Sequence, residues 1–321
     1  MKAIVHDEYG SAEVLRHTDV EKPAIGDDEV LVRVRAASIN HGDLAAMHGS
    51  PALLRLAFGL RRPRQTILGR AVAGTVEAVG AKATGLRVGD DVFGEVSQRG
   101  FAEYVAAPVA HLAPKPAEVT FAQAATLPVA ATTALQALRL GEAGPGRTVL
   151  VNGASGGVGT FTVQIAKTLG AEATGVCSTR NMDLVRSIGA HHVIDYTRED
   201  VTRGAGRFDV VIDLAGNHRL SEFRRVLAPK GVYVSSSGAG GAVLGPLPRL
   251  IAAAVTSPFL SQRLRGLAAR RSAEDLTLLA GLVATGKITP VIERTYPLSE
   301  TADAIRLLET EHARGKIVLT A

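Results

Sequence analysis

The sequence contains one cysteine, Cys177, and no tryptophan, and only 4% of its 321 residues are aromatic. A single thiol cannot form an internal disulfide or supply the four thiolates of a structural zinc site, so we expect a reducing compartment. The N-terminal residues contain no apolar run typical of a secretory signal or a membrane-spanning helix. The sequence therefore predicts a cytoplasmic protein without a cysteine-rich metal site.

The charge balance is mildly basic, with 36 lysines and arginines against 31 acidic residues. These basic residues are spread along the chain and no aromatic–basic RNA motif is visible, so we expect no nucleic-acid partner. The excess of positive charge suits a phosphate-bearing cofactor instead. With 46% hydrophobic residues, the chain is long enough for two packed domains.

Two sequence patterns divide the chain. Up to about Leu112, short apolar segments separated by turn residues predict a β-rich domain. Near Thr120 the pattern changes to an alanine-rich helical stretch and then to alternating strands and helices. The closing GKIVLT segment predicts a strand that could rejoin the β-rich domain. We therefore predict one domain from residues 1–121 and 288–321, with a second domain, residues 122–287, inserted into it.

The inserted domain alternates apolar strands with helices. Strands are predicted at RTVLVNGA, EATGVC, HHVID, FDVVIDLAG and GVYVSSS, and the helices between them include TFTVQIAKTLG, NMDLVRSIG and SEFRRVLAPKG. Later in the chain, Ser272 and Asp275 have the spacing of a helix cap before a helix that ends at Gly286. Several βα units in a row predict an α/β fold with a Rossmann-type, doubly wound parallel sheet.

A glycine-rich motif follows the first of these strands and opens a helix. Its glycines allow a tight turn, close approach of a pyrophosphate and close packing of helix on strand, and the backbone amides at the helix start can bind phosphate. An unliganded glycine turn is the alternative, but the flanking strand and helix favour a dinucleotide site. The predicted cofactor-binding residues of this motif are Gly153, Ser155, Gly156, Gly157, Val158 and Gly159.

The choice between NAD and NADP is made at the end of the second strand. An acidic residue there would bind the ribose of NAD and repel an added 2′-phosphate. This strand instead ends with Cys177, Ser178, Thr179 and Arg180, and a guanidinium can form charge-assisted bonds to phosphate. The sequence favours NADP(H); the alternative is a solvated Arg180 that pairs with Asp183.

Taken together, several motifs resemble the zinc-independent quinone oxidoreductase-like branch of the medium-chain dehydrogenase/reductase superfamily. They are AASINHGD, LGRAVAGTVEAVG, VGDDVFGEV, AATLPVAATTALQAL, VNGASGGVGTFTVQIAKTLGA, VIDY and HARGKIVL. The resemblance implies a GroES-like β-rich catalytic domain beside the Rossmann domain, an active site in the cleft between them, and a homodimer. Where zinc-dependent relatives carry metal ligands, this chain has Ser38, Arg70 and Ala71. Zinc-free relatives usually carry an acid at the position of Ala71, so Arg70 could lack its expected acidic neighbour.

The resemblance also assigns roles to single residues. Asn40 would face the reacting substrate, with Asp43 nearby in a more structural role. The residues implied to contact the cofactor are Thr133 at the nicotinamide end, Ser178, Arg180 and Tyr196 around the 2′-phosphate, and Asn217 and Lys316. Each has a simpler alternative, because asparagine and threonine are common turn and capping residues and a tyrosine often ends a strand.

The missing metal ligands bear on the reaction. Oxidation of an alcohol needs a group that holds the resulting alkoxide, which zinc does as a Lewis acid. Hydride transfer to a quinone is easier, because a conjugated carbonyl spreads the arriving charge and the Asn40 amide can stabilise the oxyanion. We therefore expect NADPH-dependent reduction of a quinone, with reduction of an enone or 2-alkenal as the alternative.

A function of another class stays open, namely a nucleotide-binding sensor or membrane-surface scaffold with little catalytic activity. Residues 53–64 and 247–271 each combine an apolar run with clustered arginines, as interfacial helices do. The simpler interpretation is that both segments form a cleft rim and a dimer contact with their arginines in solvent. Weak contact with a membrane surface is thus a possible further partner interaction.

Overall fold

The computed structural model describes residues 1–204, 206–236, 251–253, 256–257, 260–311 and 313–321. The chain forms two compact units. The first unit comprises Met1–Thr132, Arg271–Gly286 and Pro290–Ala321. The second unit comprises Thr133–Arg270 and Lys287–Thr289.

The strands follow one another along the chain in this order: β1 (Lys2–Val5), β2 (Arg16–Asp19), β3 (Glu29–Ser38), β4 (Ala71–Val79), β5 (Asp91–Glu95), β6 (Tyr104–Pro108), β7 (Leu112–Pro114), β8 (Thr148–Asn152), β9 (Glu172–Cys177), β10 (His192–Asp195), β11 (Phe208–Asp213), β12 (Leu227–Ser235), β13 (Arg263–Gly266), β14 (Ile292–Pro297) and β15 (Lys316–Thr320). The α-helices are α1 (His41–His48), α2 (Arg55–Phe58), α3 (Phe121–Thr126), α4 (Thr132–Leu140), α5 (Gly157–Thr168), α6 (Met182–Ser187), α7 (Leu220–Val226), α8 (Ala273–Ala284) and α9 (Thr301–Glu311). None of the described helices is long and apolar enough to cross a membrane.

The first unit is built on a sheet in the order β14-β15-β3-β4-β5-β7, with β6 also paired to β3. Strand β3 alternates buried valines with exposed arginines, as expected for a strand with one face on a core. The closing strand β15 lies antiparallel to β3, with Val318 opposite Ser38, which confirms that the C-terminal segment rejoins the N-terminal strands. This pairing brings the start of β15 close to the end of β3, where α1 begins.

The second unit contains a parallel sheet in the order β10-β9-β8-β11-β12-β13. Its central strands are apolar and fully buried, because helices cover both faces of a doubly wound sheet. The strand order changes direction between β8 and β11, and a crevice at the carboxyl ends of such strands is where dinucleotides bind. The predicted Rossmann-type α/β fold is confirmed.

The structure differs from the sequence prediction at two helices. The helix predicted for SEFRRVLAPKG ends at Val226, and Leu227 adopts an extended conformation as the first residue of β12. Pro229 explains this end, because the residue before a proline disfavours the helical conformation. The alanine-rich stretch is also interrupted, since Pro128 and Val129 have non-helical dihedral angles between α3 and α4.

The first compact unit includes two helices that lie close to the predicted domain boundaries at 121 and 288, and these boundaries stay predictions. Helix α3 packs against β3 and β4, and helix α8 packs against β7, so both helices lie in the first unit. Helix α8 begins as the sequence predicts, with the Ser272 hydroxyl accepting the Asp275 amide at 3.0 Å. The physical reason for its placement is its buried apolar face, which includes Leu276 and Leu279.

The arginine-rich segment 247–271 is only partly described. Residues 247–250, 254–255 and 258–259 lie outside the described residues. Residues 263–266 are not helical but form β13, which extends the parallel sheet through its pairing with β12. An interfacial helix across the whole segment is therefore wrong, because its C-terminal part is engaged as a strand.

Candidate functional site

The glycine motif forms a tight turn between β8 and α5. Gly153 has a φ of +91°, a conformation that favours glycine. A Cβ on Gly159 would lie 2.1 Å from the carbonyl oxygen of Gly153, so no larger residue fits there. Gly156 precedes the helix and provides no side-chain cap, which leaves the first amides of α5, those of Gly157, Val158 and Gly159, for an external acceptor. The turn fits a bound pyrophosphate.

Asn181 connects this turn to the end of β9. Its Nδ2 donates to the Ser155 hydroxyl at 3.1 Å and to the Ser178 hydroxyl at 3.3 Å. The side chain is buried, and its Oδ1 has no hydrogen-bond partner. The sequence analysis missed this residue, because its only local signal is an asparagine close to a helix start. Asn181 therefore fixes the two predicted serines relative to each other.

The predicted phosphate-binding residues lie around the end of β9. Ser178 is half-buried, Arg180 is exposed, and Tyr196 is 53% exposed. The Tyr196 amide donates to the Cys177 carbonyl at 3.1 Å, which places the tyrosine beside the strand end. Asp183 accepts a hydrogen bond from Arg186 at 3.1 Å. A cationic, exposed loop end of this kind can accept a ribose phosphate.

An acid that the sequence analysis missed lies next to this loop. Asp195 ends β10 and is the register partner of Cys177. Its carboxylate accepts from the Thr179 hydroxyl at 2.5 Å and from the amide and hydroxyl of Thr197 at 3.0 and 2.7 Å. The Thr179 hydrogen bond is the largest cause that lowers the pKa of Asp195. These bonds occupy both carboxylate oxygens, so Asp195 holds the loop in place.

Asn217 lies at the carboxyl edge of the parallel sheet. Asn152, the last residue of β8, donates from Nδ2 to Asn217 Oδ1 at 2.9 Å and to Asp213 Oδ1 at 2.8 Å. The Tyr233 hydroxyl donates to Asp213 Oδ2 at 2.7 Å. Buried hydrogen bonds thus join the ends of neighbouring strands and place Asn217 at the topological switch point. Thr133 is buried in the first turn of α4, and no hydrogen bond of the described residues joins it to the glycine turn.

Three of the predicted residues meet in the first unit, where β3 ends and α1 begins. The backbone N–H of Asn40 donates to Asp43 Oδ2 at 2.8 Å, which closes the first turn of α1. Lys316, at the start of β15, donates from Nζ to Asn40 Oδ1 at 2.5 Å and to the Ile39 carbonyl at 2.7 Å. Asn40 Nδ2 donates to the Ser38 carbonyl at 3.0 Å. The structure therefore brings Asn40, Asp43 and Lys316 into one cluster.

This cluster contains a fully buried acid and base. Burial raises the pKa of Asp43 to about 6, although the backbone N–H of Asn40 and the charges of Arg70 and Lys316 all act to lower it. Burial likewise lowers the pKa of Lys316 to about 8, with Asp43 acting in the opposite direction. Asp43 Oδ1 has no hydrogen-bond partner. Two opposite charges are thus held away from water, where their mutual attraction is strong.

Arg70 has an acidic neighbour, and the expectation that it lacks one is wrong. Glu95 on β5 lies opposite Ala71 on β4, and its carboxylate pairs with the Arg70 guanidinium. Arg271 Nε lies 3.5 Å from the same carboxylate. The sequence could not show this, because the acid comes from the adjacent strand rather than from position 71. Glu95 thus offsets positive charge beside the Asn40 cluster.

The positions of the zinc ligands in zinc-dependent relatives hold other side chains. Ser38 is fully buried and its hydroxyl has no hydrogen-bond partner. Over the described parts of the chain, no group of three histidine, cysteine or acidic residues is placed to hold a metal ion. The Cys177 thiol is buried, and burial raises its pKa to about 11. A thiol that stays protonated is a poor nucleophile and a poor metal ligand.

Comparisons with known proteins agree with this arrangement. Residues 26–117 match the family model of the alcohol dehydrogenase GroES-like domain, and residues 188–319 match that of a zinc-binding dehydrogenase. The chain is 33% identical to the chloroplastic NADPH-dependent alkenal/one oxidoreductase of Arabidopsis thaliana, over 99% of this chain and 79% of that protein. It is 32% identical to the chloroplastic quinone-oxidoreductase QR1 of Triphysaria versicolor, over 99% of this chain and 98% of that protein.

A solved structure extends the likeness to three dimensions. The quinone oxidoreductase from Coxiella burnetii superposes with a TM-score of 0.89 at 32% identity, over 100% of this chain and 99% of that one. Sequence identity above 30% over nearly the full length, together with the same fold, shows the family. The chain belongs to the zinc-independent quinone oxidoreductase-like branch of the medium-chain dehydrogenase/reductase superfamily.

Proposed function

We propose that this protein is an NADPH-dependent oxidoreductase that transfers hydride to a quinone, with an enone or 2-alkenal as the alternative acceptor. The names of the relatives in Arabidopsis and Triphysaria support both acceptor classes. The observation that carries the proposal is the Asn40 side chain, whose amide is fixed by Lys316 and by the Ser38 carbonyl. A fixed amide N–H is a preorganised donor for an oxyanion.

The second unit has the residues to hold NADP(H). The first amides of α5, from Gly157 to Gly159, would bind the pyrophosphate, with Ser155 beside them. Ser178, Arg180 and Tyr196 would surround the 2′-phosphate. Asn217 and Thr133 would lie toward the nicotinamide. When bound, NADPH supplies the hydride.

The first unit has the residues to polarise the acceptor. A conjugated carbonyl that receives hydride develops negative charge on its oxygen, which hydrogen-bond donors stabilise most where water is excluded. Asn40 is only 7% exposed, so its side-chain amide lies in such an environment. Asp43 holds the Asn40 backbone through the helix cap. This arrangement supports the proposal that Asn40 is the catalytic donor and Asp43 its support.

Steady-state kinetics test this function. Purified protein should oxidise NADPH faster than NADH with a panel of quinones and enones. Asn40→Ala should lower kcat/KM about a hundredfold to a thousandfold, the scale of one lost oxyanion donor. The ratio of quinone to enone turnover decides between the two acceptors. Turnover of simple alcohol and aldehyde pairs as fast as quinones would contradict the proposal.

A second candidate is contact with a membrane surface, alone or in a scaffold protein with little catalysis. In segment 53–64, three leucines are exposed, namely Leu53 at 39%, Leu56 at 63% and Leu60 at 66%. The arginines in this segment that are exposed are Arg61, Arg62 and Arg64. The sequence has no acidic residue between Asp43 and Glu77. Exposed leucines beside a cluster of exposed arginines suit an anionic lipid surface.

Vesicle sedimentation tests the membrane candidate. The protein should pellet at low salt with vesicles rich in phosphatidylserine and stay in solution with neutral vesicles. The variant Leu56→Ser/Leu60→Ser should reduce the pelleted fraction without changing turnover. Absence of pelleting with anionic vesicles would leave the leucines as an exposed part of the catalytic unit.

A homodimer and a cytoplasmic location complete the proposal. The family resemblance supports the dimer, and light scattering on the purified protein measures it. The relatives in Arabidopsis and Triphysaria carry chloroplastic names, so localisation of the tagged full chain is the test of the cytoplasmic location.

A further inference from the structure

The side chain of Lys316 is almost completely shielded from solvent. It is 4% exposed at the start of β15, and two of its three ammonium protons are donated, to the Asn40 side chain and to the Ile39 carbonyl. Burial of an ammonium group is costly unless partners compensate it. The compensating groups here are the two neutral oxygen acceptors and the buried carboxylate of Asp43. The ammonium group of Lys316 is therefore held by internal partners and not by water.

The Asn40 amide has a defined orientation because of this lysine. An amide has one oxygen that accepts and one nitrogen that donates, and a charged donor can bond only to the oxygen. Lys316 Nζ therefore fixes Oδ1 on its own side, and the Ser38 carbonyl accepts one Nδ2–H. The other Nδ2–H is the one that remains for a substrate oxygen, and the Asp43 carboxylate, whose pKa the Asn40 side chain lowers, is an internal acceptor beside it. Without Lys316, the amide could rotate and present its oxygen in place of this donor.

We propose that Lys316 is a positioning residue, which orients the Asn40 amide so that an N–H faces the substrate oxygen, and that it does not bind the cofactor. The inference rests on the proposed function, since it takes Asn40 as the donor to the substrate. It differs from the role that the family resemblance implies for Lys316. A cofactor phosphate would need an exposed ammonium group, whereas the Lys316 ammonium is buried and already donates to two internal acceptors.

Asp43 and Arg70 complete the surroundings of the lysine. Asp43 supplies the negative charge that favours the ammonium form, and Arg70 acts on Asp43 as a second cation. Glu95 in turn pairs with Arg70. These alternating charges of Lys316, Asp43, Arg70 and Glu95 explain why a lysine is tolerated at a position that is otherwise closed to solvent. Its substitution should therefore act on Asn40 first.

The test is a double-mutant cycle with two separate measurements. Lys316→Met keeps most of the length of the side chain and removes its donors, and it is combined with Asn40→Ala. Lys316→Met should lower kcat about tenfold and leave the Kd for NADPH, measured by fluorescence titration, within about twofold. In the Asn40→Ala background the same change should cause little further loss, because the two residues act as a unit.

A second variant and a matched control guard against effects on folding. Lys316→Gln keeps one amide donor and should retain more activity than Lys316→Met. Lys115 is the control, because its ammonium is also buried in the first unit and donates to the Pro116 and Val119 carbonyls at 3.1 and 3.0 Å. Lys115→Met should lower the melting temperature and leave kcat unchanged.

Three results would overturn the inference. A Kd for NADPH raised tenfold or more in Lys316→Met would make the lysine a cofactor contact. Full additivity with Asn40→Ala would show that the two residues act independently. A neutron structure of Lys316→Met, which distinguishes the amide oxygen from the amide nitrogen, would do the same if it showed an unchanged Asn40 amide. Turnover by the unmodified protein tests the proposed function separately.

Discussion

Glu95 and Ala71 are register partners on neighbouring strands, and the carboxylate of Glu95 pairs with the guanidinium of Arg70, the residue that precedes Ala71. Glu95 is 8% exposed and also lies 3.5 Å from Arg271. One carboxylate thus separates two guanidinium groups next to the Asn40 cluster. Since Arg70 also acts on the buried Asp43, Glu95 influences the charge of the site without touching it.

We predict that Glu95→Gln destabilises the protein. The change keeps the shape of the side chain and removes the charge that two arginines share, which should cost about 1–3 kcal/mol in the free energy of unfolding. It should also lower kcat/KM, because Arg70 loses its fixed position. Glu77→Gln is the control, since Glu77 pairs with Lys22 at the exposed surface and should cost less than about 0.5 kcal/mol. Equal effects of the two changes in denaturant unfolding would contradict the prediction.

Arg180→Ala should remove the preference for NADPH. An exposed guanidinium at the end of β9 can form charge-assisted bonds to a 2′-phosphate that NADH does not have. The ratio of kcat/KM for NADPH to that for NADH should fall by roughly tenfold or more, the scale of one such bond. Arg186→Ala serves as the control, because Arg186 pairs with Asp183 on the next helix. A loss of preference in both variants would indicate a general charge effect.

Gly159→Ala should disrupt the glycine turn. The added Cβ would meet the Gly153 carbonyl oxygen at 2.1 Å and the Ala154 backbone at 2.8 Å, so the start of α5 must move. The Kd for NADPH should rise by at least about tenfold and the melting temperature should fall. Gly144→Ala is the matched control in the same unit, because a Cβ there meets no atom within 4 Å. Calorimetric titration that finds unchanged NADPH binding in Gly159→Ala would refute the assigned role of the turn.

The features that could be predicted from the sequence are local ones. The turn from Gly153 to Gly159 and the Ser272 cap are each determined by a few adjacent residues. The dihedral angles and hydrogen bonds that these features require can be inferred from the residue types in the sequence. The return of the closing strand to the β-rich domain was also predictable, since an apolar closing segment needs a sheet to join, whereas its pairing with β3 was not.

Features that depend on strand register could not be predicted. Glu95 lies 24 residues from Ala71 and Asp195 lies 18 residues from Cys177, and only the alignment of neighbouring strands brings each pair together. A register shift of one residue would reverse the direction of each side chain, and no local signal fixes it. The same holds for the contact of Lys316 with Asn40, which joins the two ends of the chain.

Asp43→Asn should change how stability depends on pH. Burial raises the pKa of Asp43 from 3.8 to about 6, so between about pH 4 and pH 6 the folded chain keeps a proton that the unfolded chain has released. The contribution of Asp43 to the free energy of unfolding is therefore greatest below pH 4 and is lost as the pH rises through 6. Across this window the variant should gain on the order of 2–3 kcal/mol relative to the unmodified protein in urea unfolding. Asp27→Asn, at an exposed pair with Lys82, should show no such trend. A difference between Asp43→Asn and the unmodified protein that stays constant from pH 4 to pH 7 would mean that Asp43 is charged in the folded chain throughout.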